Sequence, residues 1–191
     1  MRKQNLNPQA MLAGILAAMI LASKAAAQEQ SESNDGTAES VQPPRRRIVI
    51  SIPDRKLALI EDGRIVKTYD TAVGAVKTPS PAGVFTIANR IPDPTWYGPK
   101  QVVAPGKANP LGTRWMGLSL KGFGIHGTNS PRSIGRNASH GCIRMRNSDV
   151  EDLFDRMEVG DVVELIGERT EEVIAIFGNP ESADPVAAAA E

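Results

Sequence analysis

Short β-branched and apolar runs make up most of residues 45–169, and this pattern restricts the fold more than any other feature. The runs at 56–60 and 64–69 flank Glu61-Asp62-Gly63, and Asp-Gly between two apolar runs is typical of a tight β-hairpin. Further strands are predicted at 48–52, 84–88, 101–104, 116–120, 124–126 and 162–166. The sequence therefore predicts a mainly β domain.

One segment has helical periodicity instead. Apolar residues recur at i, i+3, i+4 and i+7 from Val150 to Met157, and Ser148 and Glu151 have the spacing of a capping box. We expect this helix to pack its apolar stripe on the sheet and to brace the segment before it. A second, short helix is predicted at 170–177.

The N-terminus has the pattern of a secretory signal. Arg2 and Lys3 precede an uncharged apolar run at 11–22, and small residues follow up to Ala27. We expect residues 1–27 to be a signal peptide; the alternative is an uncleaved anchor. No later segment is apolar enough to span a bilayer, so no stable membrane span is expected after cleavage.

The rest of the chain divides into three parts. Residues 28–44 are polar and predict a flexible linker, because they cannot bury enough apolar surface to offset the entropy of ordering. Residues 45–169 have an ordinary length for a single domain. Residues 170–191 are predicted to be a C-terminal tail, a short helix followed by a disordered segment.

Charge and aromatic content argue against nucleic-acid binding. The formal net charge is zero and aromatic residues make up 4% of the chain. A base-stacking surface needs both cations and aromatic rings. The short cluster Arg45-Arg46-Arg47 adjoins the linker and is interpreted as a solvated domain edge.

The chain's single cysteine, Cys142, lies close in sequence to its two histidines, His126 and His140. Cysteines of exported proteins usually pair, so a lone one is either buried and inert or kept free to react. A thiolate is a strong nucleophile, and imidazole is the base best suited to neutral pH. His126 ends a predicted strand and is the better base; His140 is the alternative, or it orients substrate.

The residues around the thiol have roles consistent with acyl transfer. Gly141 permits a tight turn, and the amides of Gly141 and Cys142 are candidates for an oxyanion site. Arg144 supplies a positive charge that would lower the pKa of the thiol or bind a substrate carboxylate. Two alternatives stay open: a zinc site built from His126, His140 and Cys142, or a domain that only binds a partner.

The run Ser139-His140-Gly141-Cys142-Ile143-Arg144, with His126-Gly127 upstream, resembles the signature of the L,D-transpeptidase catalytic domain family (YkuD type). Further matching segments lie at 78–85, 109–112, 125–128 and 134–135. The resemblance covers residues 45–167, nearly all of the predicted domain.

This resemblance implies a peptidoglycan L,D-transpeptidase. Cys142 would attack the carbonyl of the third residue of a tetrapeptide stem, release D-alanine, and pass the acyl group to the side-chain amine of a second stem, forming a 3→3 cross-link. His126 would be general base and acid, oriented by the Gly127 carbonyl. The residues implied at the oxyanion or substrate-binding site are Ser139, His140, Gly141 and Arg144.

The resemblance also implies a β-sandwich of mixed strands with one or two short helices, no metal and no cofactor. Some relatives attach a lipoprotein to peptidoglycan or hydrolyse such bonds with the same thiol, and carbapenems acylate many of them. The expected location is the periplasm or cell wall, with stem peptides as partners and a lipoprotein as a possible acceptor.

The long Pro- and Gly-rich segment 91–112 is expected to be a binding loop or lid.

Overall fold

A computed structural model describes residues 45–178. The predicted signal peptide, the linker and the end of the C-terminal tail lie outside the described residues. Among the helices of residues 45–178, none is long and apolar enough to cross a membrane.

Twelve strands, two α-helices and one 3₁₀ turn form the described part of the chain. The strands are β1 Arg46–Ser51, β2 Lys56–Glu61, β3 Arg64–Asp70, β4 Val73–Gly74, β5 Gly83–Pro92, β6 Trp96–Tyr97, β7 Val102–Val103, β8 Arg114–Leu118, β9 Gly124–His126, β10 Asn137–Ser139, β11 Ile143–Arg144 and β12 Val162–Ile166. The helices are α1 Asn147–Arg156 and α2 Glu171–Phe177, and the 3₁₀ turn is Pro131–Ser133. The prediction of a mainly β fold with two short helices is confirmed.

Eight strands form one mixed sheet in the order β11-β9-β8-β5-β12-β1-β2-β3. The pairs β1/β12 and β9/β11 are parallel, and the other pairs are antiparallel. The long strand β5 joins the two halves: its first residues pair with β12, and the residues from Ile87 onwards pair with β8. The register of β5 shifts between Ile87 and Asn89, where one half of the sheet gives way to the other.

The two halves of the sheet share one apolar core. Ile48 and Ile50 of β1 pack in the same cluster as Met116 of β8 and Ile125 of β9. Because side chains alternate along a strand, Val49 points to the opposite face of β1. There it forms a second, smaller cluster with Ala58 and Ile60.

The predicted hairpin joins β2 to β3. Glu61 pairs with Arg64, so Asp62 and Gly63 form a two-residue turn, with φ values of 48° and 77°. Two consecutive positive φ angles define a type I′ turn, whose twist matches that of the flanking strands.

Helix α1 forms as predicted but not with the predicted cap. It begins at Asn147 with Arg146 as N-cap residue, and no side chain caps it. Ser148 therefore lies inside the first turn, and the capping box of Ser148 and Glu151 does not form. Asn147, the first residue of the helix, instead ties α1 to the segment after β9, because its Oδ1 accepts a hydrogen bond from the Thr128 amide at 2.9 Å.

Helix α2 lies within the predicted segment 170–177, and its N-cap Thr170 accepts a hydrogen bond from the Val173 amide. Its Ile176 and Phe177 pack on the second cluster beneath β1 and β2, and Val173 is fully buried. The packed part of the chain thus continues past residue 169, where the sequence places the end of the domain.

Candidate active site

Neighbouring strands bring the base and the nucleophile together. His126 is the last residue of β9, and Cys142 immediately precedes β11. The two strands are parallel, with Ile143 opposite Ile125 and Arg144 opposite His126. Cys142 lies two positions before Arg144, the direct partner of His126, so the thiol and the histidine are diagonal neighbours on the same face although they are sixteen positions apart in sequence.

His126 occupies the middle of a row of three side chains. Trp115 of β8 is its antiparallel partner and Arg144 of β11 its parallel partner. Residues paired in this way point to the same face of a sheet. The adjacent row of Met116, Ile125 and Ile143 points into the core. The row of Trp115, His126 and Arg144 therefore lies on the opposite, outer face of this half of the sheet.

The geometry of His126 fixes which nitrogen can act as a base. Its Nδ1 lies 2.6 Å from the carbonyl oxygen of Gly127. A carbonyl only accepts, so Nδ1 carries the proton and donates, and Nε2 keeps its lone pair. Any side chain on Gly127 would collide with Asn147 Oδ1, the same oxygen that holds the start of α1. Helix α1 thus braces the histidine segment.

The environment of His126 keeps it neutral. Burial lowers its pKa to about 4, and the positive charge of Arg144 contributes in the same direction, against the hydrogen bond to Gly127. The indole of Trp115 stacks on the imidazole with centroids 5.7 Å apart. Trp115 is itself tied by its Nε1–H to Asn89 Oδ1 at 3.1 Å.

The Cys142 thiol is also in its neutral form at rest. Burial raises its pKa, although the backbone of Gly124 and the charge of Arg144 act to lower it. Its Sγ lies 3.6 Å from the carbonyl oxygen of Gly122. Arg144 thus favours the thiolate, as the sequence suggests, but burial outweighs it.

Ser139 closes the turn that carries the thiol. It is buried, its hydroxyl donates to the Cys142 carbonyl at 2.6 Å, and the same oxygen accepts from the Gly141 amide at 3.0 Å. The Ser139 carbonyl in turn accepts from the Ala75 amide and from the Thr78 hydroxyl. The segment ahead of the thiol is therefore anchored to the chain around β4.

Gly141 takes a conformation that favours glycine. Its φ is +110°, and a Cβ there would lie 2.7 Å from the ring of Phe123. Because its amide is bonded to Ser139, the Gly141 N–H is not free for an oxyanion. The Cys142 amide has no hydrogen-bond partner among residues 45–178 and stays available.

Two clefts meet at the thiol. One, of about 280 Å³, is lined by His126, Ser139, His140 and Arg144 together with Trp96, Pro110 and Leu111. The other, of about 350 Å³, is lined by apolar and aromatic residues including Tyr97 and Trp115, and by Gly122. Cys142, Trp96 and Leu111 border both clefts. His140 is exposed and lies in the first cleft.

The segment 91–112 forms the wall of both clefts. Strands β6 and β7 pair within it as a short hairpin that carries Trp96. Asn109 is fully buried and holds the segment together: its Nδ2 donates to Pro94 O at 2.8 Å, and its Oδ1 accepts from the Leu111 amide at 2.8 Å. The long loop is thus an ordered wall of the site.

Several residues of the site are not predicted from the sequence. Trp115, Trp96, Leu111 and Gly122 have no motif of their own, and their place depends on strand pairing across the sheet. The run Asn109-Pro110-Leu111-Gly112 was the one available signal, since a polar residue within a Pro- and Gly-rich segment often organises its loop. Strands β4, β6, β10 and β11, each two or three residues long, are also absent from the prediction.

The zinc alternative receives no geometric support. Among residues 45–178, no group of three or more His, Cys, Asp or Glu side chains is placed to hold a metal ion. His126, His140 and Cys142 share a cleft without forming such a group.

Comparison with known proteins agrees with this geometry. The profile of the L,D-transpeptidase catalytic domain family (YkuD) matches residues 45–165. The chain belongs to this family. Its members are L,D-transpeptidases, a class of acyltransferase.

Relatives and solved structures support the same assignment. YkuD of Bacillus licheniformis, named as an L,D-transpeptidase, is 46% identical over 119 residues, which are 62% of this chain and 64% of that protein. YqjB of Bacillus subtilis, also named as an L,D-transpeptidase, is 36% identical over 68% of this chain and 76% of its own. The match to the Bacillus licheniformis protein thus spans less than two thirds of its length.

The fold matches structures of the family. A mutant form of the Enterococcus faecium L,D-transpeptidase superposes with a TM-score of 0.55 at 26% identity, covering 64% of this chain and 50% of that chain. An L,D-transpeptidase from Mycobacterium smegmatis gives 0.56 at 22% identity, covering 65% of this chain and 59% of its own. A further L,D-transpeptidase, solved in complex with imipenem, gives 0.56 at 20% identity, covering 64% of this chain and 59% of its own.

Proposed function

We propose that this protein is an exported L,D-transpeptidase that cross-links peptidoglycan through Cys142. The donor is a tetrapeptide stem, whose third residue is acylated onto the thiol with release of D-alanine. The acceptor is the side-chain amine of a second stem, and the product is a 3→3 cross-link. Family membership supports the reaction class, and the arrangement around the thiol supports the assignment of residues.

The observation that carries this proposal is the position of Cys142 at the junction of two clefts. A transferase must hold a donor and an acceptor on different sides of one acyl group. The cleft that contains His126 and Arg144 suits the donor, since base and cation flank the thiol there. The neighbouring apolar cleft beside Tyr97 and Trp115 then receives the acceptor.

The first half of the reaction forms a thioester. His126 Nε2 takes the proton from Sγ as the sulfur attacks the donor carbonyl carbon, and the carbonyl oxygen becomes an oxyanion. The Cys142 amide donates to this oxygen. Collapse of the adduct breaks the bond to D-alanine, whose amine leaves with the proton held by His126.

The second half reverses these steps with a new amine. The acceptor amine attacks the thioester carbonyl and gives its proton to Nε2. The carbon–sulfur bond breaks, and the thiolate recovers the proton from the imidazolium. Both halves need a histidine that is neutral when attack begins, and the burial that lowers the pKa of His126 supplies one.

The identity of the acceptor is decided by product analysis. We expect the full chain, incubated with tetrapeptide muropeptides, to yield dimers and free D-alanine. Free tripeptide without dimers would instead assign hydrolysis to the same thiol, and a tripeptide joined to a lipoprotein lysine would assign attachment. Full activity in Cys142→Ala would overturn the mechanism.

A carbapenem supplies a second, substrate-independent test. A structural neighbour was solved in complex with imipenem. We expect mass spectrometry to show one covalent adduct on Cys142, and none in Cys142→Ser after denaturing wash.

The proposed location is the periplasm or cell wall. Arg2, Lys3 and the apolar run at 11–22 support export. We expect the mature N-terminus to begin at Gln28. An intact Met1 on protein recovered from the cytosolic fraction would contradict this location.

A further inference from the structure

Charges in the domain are separated along the chain. Residues 71–146 hold ten Lys and Arg and a single acidic residue, Asp93. Residues 147–178 hold ten Asp and Glu and only two Arg. The zero net charge of the whole chain hides this separation, so composition gives no sign of it.

The acidic residues of the second segment are largely neutralised within the fold. Asp152 pairs with Lys67 at 2.9 Å, and Glu164 pairs with Arg47 at 3.1 Å. Asp161 lies 3.5 Å from Arg46. The cations of these three pairs come from β1 and β3; two further pairs, Glu158 with Arg90 and Asp149 with Arg146, use cations of residues 71–146.

The cations of residues 71–146 are mostly left without partners. Arg90, Arg114 and Arg146 form ion pairs. The others have no ion-pair partner among residues 45–178: the exposed Lys77, Lys100, Lys107, Lys121, Arg132 and Arg136, and the half-buried Arg144.

Several of these exposed cations lie on the segments that form the clefts. Lys121 directly precedes Gly122, which lines the second cleft and contacts the thiol. Lys77 precedes Thr78, whose hydroxyl donates to the carbonyl of Ser139 at 3.0 Å.

Two more cations follow the same pattern. Arg136 precedes β10, the strand that ends at Ser139, and Lys100 lies in the turn between β6 and β7, the hairpin that contributes Trp96 to both clefts.

Arg144 points to the kind of ligand. It lines the first cleft with His126 and Cys142, and its Nε is enclosed with no hydrogen-bond partner in the described structure. Arg144 also has no ion-pair partner among residues 45–178, and the planar fork of an arginine matches a carboxylate. The exposed cations on neighbouring segments lie outside the lining of the clefts, where they would meet carboxylates farther along a bound peptide.

We propose, on the basis of the transpeptidase function above, that the cations on the cleft-forming segments select stem peptides whose carboxylates are free and discriminate against amidated stems. We call this set the cationic face; its members are Lys77, Lys100, Lys121, Arg136 and Arg144. Replacing a carboxylate by an amide removes its charge and changes its shape little. A positive face raises the association rate of an anionic ligand by about 10- to 1000-fold, and salt screens the effect.

A first test measures the charge preference without any transpeptidase substrate. Iodoacetate and iodoacetamide alkylate a thiol by the same displacement of iodide and differ in one carboxylate. We expect the rate ratio of iodoacetate to iodoacetamide at Cys142 to exceed that of glutathione by about tenfold at low salt. The excess should decline as NaCl approaches 1 M.

Charge reversal locates the preference. In the double variant Lys121→Glu/Arg136→Glu, the rate ratio of iodoacetate to iodoacetamide should fall to the value for glutathione. The matched control is Lys56→Glu/Arg64→Glu, which reverses two exposed cations on β2 and β3, away from the clefts, and should keep the ratio. Circular dichroism verifies that both variants fold.

The second test uses two tetrapeptide donors that differ only in amidation of the carboxylates preceding D-alanine. We expect kcat/KM for acylation to favour the free acid by about tenfold at low salt, and the Lys121→Glu/Arg136→Glu variant to lose the preference. Equal rates for both donors, or equal alkylation ratios in the enzyme and in glutathione, would refute the selection. Failure of both donors to acylate, with the alkylation preference intact, would refute the transpeptidase function and leave the cationic face standing.

Discussion

The indole of Trp115 stacks on the imidazole of His126, with ring centroids 5.7 Å apart and planes inclined by 26°. The stack follows from strand register, because the two residues are directly paired across β8 and β9. Gly124 and Gly117 make room for it, since a Cβ at either position would lie within 3.0 Å of the Trp115 indole. The indole therefore limits how far the imidazole can rotate away from the thiol.

This contact makes Trp115 a reporter of the charge on His126. The chain has two tryptophans, so Trp96→Phe leaves Trp115 as the only one. Because an imidazolium quenches the fluorescence of an indole in contact with it, we expect emission to fall as pH drops through about 4, the pKa to which burial lowers His126. The measurement is a fluorescence titration, with circular dichroism followed in parallel.

The matched control is Trp115→Phe, in which Trp96 should show no such transition. Adding His126→Gln to Trp96→Phe should abolish it. A midpoint near 6.5 would mean that the histidine is hydrated like a free imidazole, contrary to its burial.

The resting thiol and imidazole should both be neutral, and alkylation of Cys142 tests this. Burial raises the pKa of the thiol, so the thiolate fraction should keep increasing with pH beyond about 8.5, the value for free cysteine. We expect the rate of reaction with iodoacetamide to rise steadily from pH 6 to pH 9. A plateau beginning below pH 7 would show a preformed thiolate–imidazolium pair instead.

Burial of His126 should make the fold less stable in mild acid. Its folded pKa of about 4 lies below the unfolded value of about 6.5, so below pH 6.5 the unfolded state binds more protons. The free energy of unfolding should fall as pH drops from 6.5 to 4, by on the order of 3 kcal/mol. Urea unfolding at pH 7.0, 5.5 and 4.5 measures it.

His126→Gln is the control for this loss, and its unfolding free energy should change less over the same range. Titration of Asp152 in the folded state does not contribute between pH 4 and 6.5, because hydrogen bonds from Lys67 and Tyr69 lower its pKa to about 2. An identical pH dependence in both proteins would assign the acid sensitivity to other groups.

A pair of helix-cap substitutions checks the difference between predicted and observed caps. Thr170→Ala removes the hydroxyl that accepts from the Val173 amide at 3.2 Å, and should lower the free energy of unfolding by about 1 kcal/mol. Ser148→Ala, at the position that the sequence assigns to a capping box, should change it by less than about 0.5 kcal/mol. Denaturant unfolding compares them; a larger loss for Ser148→Ala would place the start of α1 two residues later.

The longer elements could be predicted because their signals are local. The Asp62-Gly63 hairpin and the apolar stripe of α1 each depend on neighbours within a few residues. The same holds for the thiol, because the run from Ser139 to Arg144 is enough to identify Cys142 as the nucleophile. These features need no knowledge of which strands pair.

The remaining parts depend on pairing between distant segments. Nothing near Trp115 in sequence indicates that it faces His126, since the contact exists only in the register of β8 with β9. Likewise, the side chain of Asn147 holds the Thr128 amide instead of capping its own helix. The Ser139 hydroxyl accepts the hydrogen bond of the Gly141 amide, so this amide is not available to an oxyanion. The spacing of the motif does not indicate this bond.

The parallel pairing of β9 with β11 has a consequence for how this site tolerates change. The distance between base and nucleophile is set by the parallel pairing of β9 with β11, in which Ile125 lies opposite Ile143, and not by the length of chain that joins them. We expect the exposed part of that connection around Arg132 to tolerate a longer, shorter or foreign peptide without movement of the reacting atoms, whereas Asn129 is tied to the cleft wall by its hydrogen bond to the Ala108 carbonyl at 2.9 Å. Evolution or an engineer could thus alter what approaches the thiol while the chemistry stays fixed in the sheet.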